Sequence, residues 1–412
     1  MPKILRILNR MAVGGPVLNA TYLTKYLSPE FETMLVVGAK EDHEKSASFV
    51  AEQLGIEVVT ISQMQRSVHP VKDFQAFSAI RKLIRDFQPD VVHTHASKPG
   101  VLGRLAASME GVPAIVHTFH GHTFNSYFNN FTSQVYINTE RFLARKSSAI
   151  VAISETQKKE LVEEFRIAPE EQFRVIQLGL DLDKFTVDQP QKRAAFRQEF
   201  GVADDEIAIG IIGRLVPVKN HSLFLNALAH VLQNTGKKVK AFIVGDGESR
   251  SGLEATAKDL GIPFSVHTDA SHPHPLVFTS WRKDVDVINA GLDIVALTSL
   301  NEGTPVSLIE AQAANKPIVS TRVGGIGDIV KEGRTALLAD VDDQSGFSRH
   351  LLNLVQDDTL RAELGQNSSQ YVMKRFSYQR LVKDMSNLYY ELLSEKIPAN
   401  VLLRKEKSYT VS

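Results

Sequence analysis

Short runs of β-branched and other apolar residues alternate along the chain with longer stretches whose apolar positions recur every three or four residues. The apolar runs fall at 3–8, 34–37, 58–61, 90–93, 114–118, 149–153 and 174–176 in the first half, and at 207–212, 240–244, 264–267, 293–297 and 317–320 in the second. Helical patterns lie between them, for instance at 100–109, 155–165, 223–231 and 305–314. Strand-then-helix alternation predicts parallel sheets assembled from βαβ units. The runs lack polar alternation, as expected of strands covered by helices on both faces. About a dozen strands exceed what one open sheet usually holds, so two sheets are expected. The fold class is therefore α/β, with two Rossmann-like, doubly wound lobes. The break is read in the polar, charged stretch 178–206, which contains Pro190. This gives a first lobe at 1–190, a second at 191–377, and a segment 378–412 whose helical part packs back on the first lobe before a polar tail.

Composition narrows the partners. Lys+Arg and Asp+Glu are both 47 in 412 residues, so no global polyelectrolyte partner such as a nucleic acid is indicated. There is no cysteine, which excludes disulfides and thiolate metal sites. Charges interrupt the amino-terminal residues, and no run approaches the roughly 18 apolar residues of a membrane span. The expectation is a cytoplasmic protein. Arg81, Lys82 and Arg85 on one helical pattern leave open a peripheral association with the inner face of a membrane.

The stretch Asp293-Ile-Val-Ala-Leu-Thr-Ser-Leu-Asn-Glu302-Gly303-Thr304-Pro305-Val-Ser-Leu-Ile-Glu310-Ala reads as strand, tight loop and helix. Thr304 suits an N-cap and Pro305 the first helical position. Val306, Ile309, Glu310 and Ala313 then share a stripe, which puts the Glu310 carboxylate on an apolar face. Ribose hydroxyls would suit it as donors, and the helix N-terminus is apt for a diphosphate. By spacing alone, Glu302 reads equally as a solvated loop acid and Glu310 as the partner of a structural arginine.

This segment resembles the E-x7-E element of the retaining nucleotide-sugar glycosyltransferases of family 4, which have the two-lobed GT-B fold with a cleft between the lobes. The resemblance implies that Glu302 and the following backbone at Gly303, Thr304 and Pro305 contact a donor sugar, while Glu310 binds the nucleotide ribose. Other segments follow in family order. Ile212-Gly213-Arg214-Leu215-Val216-Pro217-Val218-Lys219 is similar to the G-R-L-x-x-x-K element, whose cations neutralise a departing diphosphate. Val244-Gly245-Asp246-Gly247 and Val323-Gly324-Gly325-Ile326-Gly327-Asp328 resemble the strand-end glycine turns, with Asp328 in place of the usual Glu. Gly14 and Gly15 resemble the glycine-rich first loop. His120 aligns with a histidine that touches the donor sugar, with His122 as the alternative. The segment 90–106 looks like first-lobe segments of bacterial surface-polysaccharide transferases.

The resemblance implies transfer of a sugar from a UDP- or GDP-sugar to a saccharide or lipid-linked saccharide, with retention and without a metal. His120, Arg214, Lys219 and Glu302 are the expected catalytic set. Three other readings stand beside it: a nucleotide-sugar 2-epimerase of the same fold, a metal hydrolase using His93, His95, His120 and His122, and a silent sugar-binding module. The strings Asp181-Leu-Asp183 and Asp284-Val-Asp286 are read as structural.

Overall fold

A computed structural model describes residues 1–12, 14–39, 46–65, 67–121, 130–266, 274–366 and 368–396. The chain divides into two compact units, Asp181–Arg375 and a unit formed by Met1–Leu180 with the chain from Phe376 onward.

The first unit contains a seven-stranded sheet. Its strands are β1 (Lys3–Arg10), β2 (Glu32–Gly38), β3 (Val58–Ile61), β4 (Val91–His95), β5 (Ala114–Phe119), β6 (Ala149–Ala152) and β7 (Phe173–Val175). They lie in the order β3-β2-β1-β4-β5-β6-β7, and all pairs are parallel. The chain therefore winds outward from β1 on one side and returns through β4 on the other. The carboxyl ends of β1 and β4 flank that reversal, where α/β sheets open a crevice. One face is closed by the helix Tyr378–Lys396, whose Leu381, Met385, Leu388 and Leu392 enter a core with Ile4, Phe31, Val91 and Ala114. This helix also meets the helix Gly15–Tyr26, where the rings of Tyr26 and Tyr378 stack at 4.2 Å. Beneath the sheet's other helices, Arg104 and Glu140 form a buried pair at 2.5 Å.

The second unit repeats the plan with β8 (Glu206–Ile212), β9 (Lys238–Val244), β10 (Phe264–Ser265), β11 (Leu276–Ser280), β12 (Ile294–Leu297), β13 (Ile318–Thr321) and β14 (Ala336–Ala339). The order is β10-β11-β9-β8-β12-β13-β14, again parallel, so the reversal falls between β8 and β12. Phe224, Leu228, Phe278, Phe347 and Leu351 fill its core.

Three features differ from the sequence reading. β11 and β14 are additional strands. Ala-Leu-Leu-Ala of β14 lacks β-branched residues, and its pairing with β13 overrides local preference. The units divide earlier than residue 190, because Phe185 is fully buried in a turn that packs against the second unit's helices Val285–Gly291 and Val306–Ala313. The stretch read as a linker contains the helix Gln189–Phe200. Its Phe196 and Phe200 pack on Phe242 at 4.9 and 5.1 Å, while Arg193 and Arg197 reach Asp293. Charge on the exposed face had masked that narrow apolar edge.

Candidate functional site

In the second unit the motif residues gather on loops leaving the carboxyl ends of β8, β9, β12 and β13. The β8 loop runs through Gly213 and Arg214 to a short 3-10 turn, Pro217–Lys219. The β12 loop is tied to it by Leu300 N–H donating to Val218 O at 2.8 Å and Thr298 Oγ1 donating to Lys219 O at 2.9 Å. These bonds fix Lys219 beside Glu302. The Lys219 ammonium pairs with Glu302 Oε1, to which Ser299 Oγ also donates at 2.6 Å. Ser299 had no signal in the sequence, since its role depends on the loop's curl. Arg214 is exposed and its guanidinium has no partner among the described residues. It stays available for an anion.

The glycines are required where backbones touch. A Cβ on Gly245 would stand 1.8 Å from Gly213 O, and one on Gly247 would stand 2.3 Å from Leu215 O. On the other side, a Cβ on Gly324 would meet Glu302 O at 2.0 Å, and one on Gly325 would meet Gly303 O at 1.9 Å. Gly325 N–H donates to Glu302 O at 3.0 Å. The strand-end turns thus press against the β8 and β12 loops and hold their shape, which is a physical reason for glycine there.

The helix after the β12 loop is Val306–Ala313, with Pro305 rather than Thr304 at the N-cap. Thr304 does not cap because the chain turns into the helix one residue later; its Oγ1 is buried without a partner. Glu310 is half-buried on this helix and its carboxylate makes no hydrogen bond or ion pair among the described residues. Burial pushes its carboxyl up to about 7; Lys184 opposes the shift and Asp286 adds to it. Glu310 does not meet a structural arginine. The acids of the second D-x-D string are otherwise occupied: Asp284 binds Arg282 at 2.6 Å and Asp286 binds Lys192 at 2.8 Å.

In the first unit, Gly14 precedes the helix Gly15–Tyr26, with Pro16 in its first turn. A Cβ on Gly14 would meet only Pro16 Cδ at 3.6 Å, so packing does not demand a glycine there. The histidines assemble at the ends of β4 and β5. His93 gives one ring nitrogen to Tyr389 OH at 2.6 Å and the other to Thr118 Oγ1 at 2.7 Å. His95 Nδ1 meets His120 Nε2 at 2.8 Å. Burial pushes His120 down to about 3, and it holds His93, His95 and His117 well below the ordinary imidazole range. The metal-hydrolase reading loses His93, both of whose ring nitrogens are bonded, while His95 and His120 each give one nitrogen to the other. Among the described residues no group of three or more His, Asp or Glu is arranged to hold a metal. His122 lies outside the described residues. A cavity of about 610 Å³ on this unit, lined by Arg141, Arg145 and Arg166, includes none of the motif residues.

Residues 192–371 match the family described as "Glycosyl transferases group 1", and residues 13–184 match "Glycosyltransferase Family 4". The chain is 29% identical over 332 residues to UDP-Gal:alpha-D-GlcNAc-diphosphoundecaprenol alpha-1,3-galactosyltransferase of Escherichia coli, covering 80% of this chain and 83% of that one. It is 29% identical over 316 residues to a D-inositol 3-phosphate glycosyltransferase of Corynebacterium jeikeium, covering 74% and 72%. In fold it is similar to HepE of Anabaena, solved with UDP and glucose, with a TM-score of 0.78 at 20% identity, covering 95% of this chain and 100% of that one. It is likewise similar to sucrose-phosphate synthase of Thermosynechococcus elongatus, with a TM-score of 0.78 at 15% identity and coverage of 96% and 100%.

Proposed function

The chain belongs to the group 1, family 4 glycosyltransferases, and from that premise we propose that it moves a sugar from a UDP-linked donor to a lipid-linked diphosphate saccharide with retention at the anomeric carbon. The observation that carries this is the grouping of Arg214, Lys219 and Glu302 on loops at the β8/β12 reversal with Glu310 on the helix that follows, its carboxylate without a hydrogen bond among the described residues. The uridine base and the acceptor class rest on the Escherichia coli relative, whose name specifies both.

The bond between the anomeric carbon and the diphosphate oxygen breaks, and its electron pair leaves with the nucleotide. Arg214, Lys219 and the N–H groups at the start of the helix Val306–Ala313 stabilise that charge. The acceptor hydroxyl forms the new bond on the same face, and its proton passes to the departing phosphate. No protein nucleophile and no metal enter the step. Glu310 receives the ribose hydroxyls, Glu302 and the backbone of Gly303 to Pro305 hold the sugar, and His120 receives a sugar hydroxyl. Gly14 and Gly15 let backbone N–H groups approach a ligand. Dependence of nucleotide release on an acceptor distinguishes this reading from the epimerase, which needs none.

Peripheral membrane association is part of the proposal. Among the described residues no helix is long and apolar enough to cross a membrane. Val68, Val71 and Phe74 are, however, 77%, 63% and 71% exposed at and just before the start of the helix Pro70–Phe87, which also carries exposed Lys82. Arg81 and Arg85 both lean on Glu110, which reduces their contribution to a basic surface.

The test is a melting-temperature series with UDP, GDP and ADP and their sugars, with and without chelator, followed by product analysis. Ligand at about 100 times its Kd adds roughly 2.7 kcal/mol. UDP compounds alone should stabilise, chelator should have no effect, and UDP should appear only with a lipid-diphosphate GlcNAc acceptor, giving an α-linked product. UDP release coupled to epimerised free sugar would overturn the transferase assignment.

A further inference from the structure

The paired rings of His95 and His120 carry a consequence for the sugar they would meet. His95 closes β4 and is fully buried; His120 follows β5. The rings stack with centroids 5.1 Å apart and join through His95 Nδ1 and His120 Nε2. The two remaining nitrogens, His95 Nε2 and His120 Nδ1, are sealed from water and have no partner among the described residues.

Two neutral imidazoles joined in this way must share the same tautomer. If His95 Nδ1 donates, His120 carries its proton on Nδ1 and His95 Nε2 is a lone pair. If His120 Nε2 donates, the two outer roles exchange. In both cases the outer nitrogens are one donor and one acceptor. A carboxylate or phosphate can only accept and an ammonium can only donate, so neither satisfies the pair. A hydroxyl does both, as do two neighbouring hydroxyls of one sugar. The surroundings keep the rings uncharged. Arg6 is a fully buried cation whose guanidinium reaches Thr24 Oγ1 and Tyr389 OH and no carboxylate, and the His93 ring lies 4.2 Å from that of His95.

We propose that His95 and His120 act as one linked donor–acceptor pair for sugar hydroxyls, with His95 as the positioning residue that sets the tautomer and orientation of His120. This rests on the reading of His120 as the sugar-facing residue of the first unit.

The test uses the full chain with UDP-galactose as donor probe and UDP as the sugarless control. His95→Ala and His120→Ala should each lower turnover of UDP-galactose about tenfold or more, with the Kd for UDP within about twofold of wild type. The double variant should lose no more than His120→Ala alone, since the pair acts as a unit. His95→Asn places an amide where Nδ1 stood and should recover most of the loss, whereas His95→Gln, reaching toward Nε2, should not. Full activity of His95→Ala beside an impaired His120→Ala, losses that multiply in the double variant, or equal activity of the Asn and Gln variants would each overturn the linkage while leaving His120 in place. Unchanged turnover in His120→Ala would instead overturn the underlying reading. Should His95→Ala fail to fold, the Asn–Gln comparison decides. Independently of any donor, nitrogen NMR of the ligand-free protein at pH 7 should show both rings neutral and in the same tautomer; a charged ring or opposite tautomers would sink the proposal.

Discussion

Lys219→Met separates chemistry from architecture at the candidate site. The Lys219 and Glu302 side chains retain 18% and 10% of their exposure, so their pair is largely but not fully shielded. The substitution keeps the aliphatic stem and leaves the Thr298 bond to the backbone carbonyl of Lys219 intact. Glu302 loses its cation but keeps the 2.6 Å bond from Ser299. A partly solvated carboxylate with one remaining donor costs about 1 kcal/mol, well short of a deeply buried orphan. For a unit the size of Asp181–Arg375, that is a fall of roughly 2–4 °C in melting temperature. Turnover should respond far more. Removing one fixed electrostatic stabiliser of a developing anion costs about 2.7–4 kcal/mol, or 10²–10³ in kcat. The assay is UDP release at saturating donor and acceptor, beside a thermal melt and UDP titration of the same preparation. A large drop in melting temperature with kcat reduced less than about threefold would show that Lys219 only holds the loop, and the leaving-group role would fall.

Glu310 gives a pH signature. Burial first, opposed by Lys184 and aided by Asp286, raises its carboxyl to about 7, so the folded chain holds this proton to higher pH than the unfolded chain does. Its contribution to stability is therefore complete below the ordinary carboxylate range and is lost as pH rises toward 7. UDP binding by the ionised form should tighten between pH 6 and 8, approaching tenfold per pH unit below the pKa, and Glu310→Gln should flatten that dependence in calorimetry. Gly245→Ala, with its Cβ 1.8 Å from Gly213 O at a φ of +144°, should displace the β8 loop. About 2–3 kcal/mol of lost stability and weakened UDP binding are expected from denaturant titration. Glu140→Ala strands the fully buried Arg104 cation in the first unit and should cost about 3–5 kcal/mol, while UDP binding by the protein that remains folded is unchanged.

Much of this protein was legible along the chain because its determinants are local. Unbroken apolar runs specify strands covered on both faces, and twelve of the strands appear where such runs occur. Periodicity placed Glu302, Glu310, Arg214 and Lys219 on strand–loop–helix frames, but spacing alone left their roles open, and they stood out because their segments resemble family motifs in family order. Tertiary structure decided the remainder. Ala336–Ala339 is a strand only because β13 offers it a hydrogen-bonding edge. The charged stretch around Phe196 became a helix because Asp293 gathers its arginines while two rings find Phe242. Sheet order brings Lys219 to Glu302 across 83 residues and His95 to His120 across 25, distances over which no periodicity carries information. Above all, the protonation of Glu310 and of the histidines depends on what surrounds them in space, since desolvation is a property of the packed neighbourhood and has no expression in residue identity.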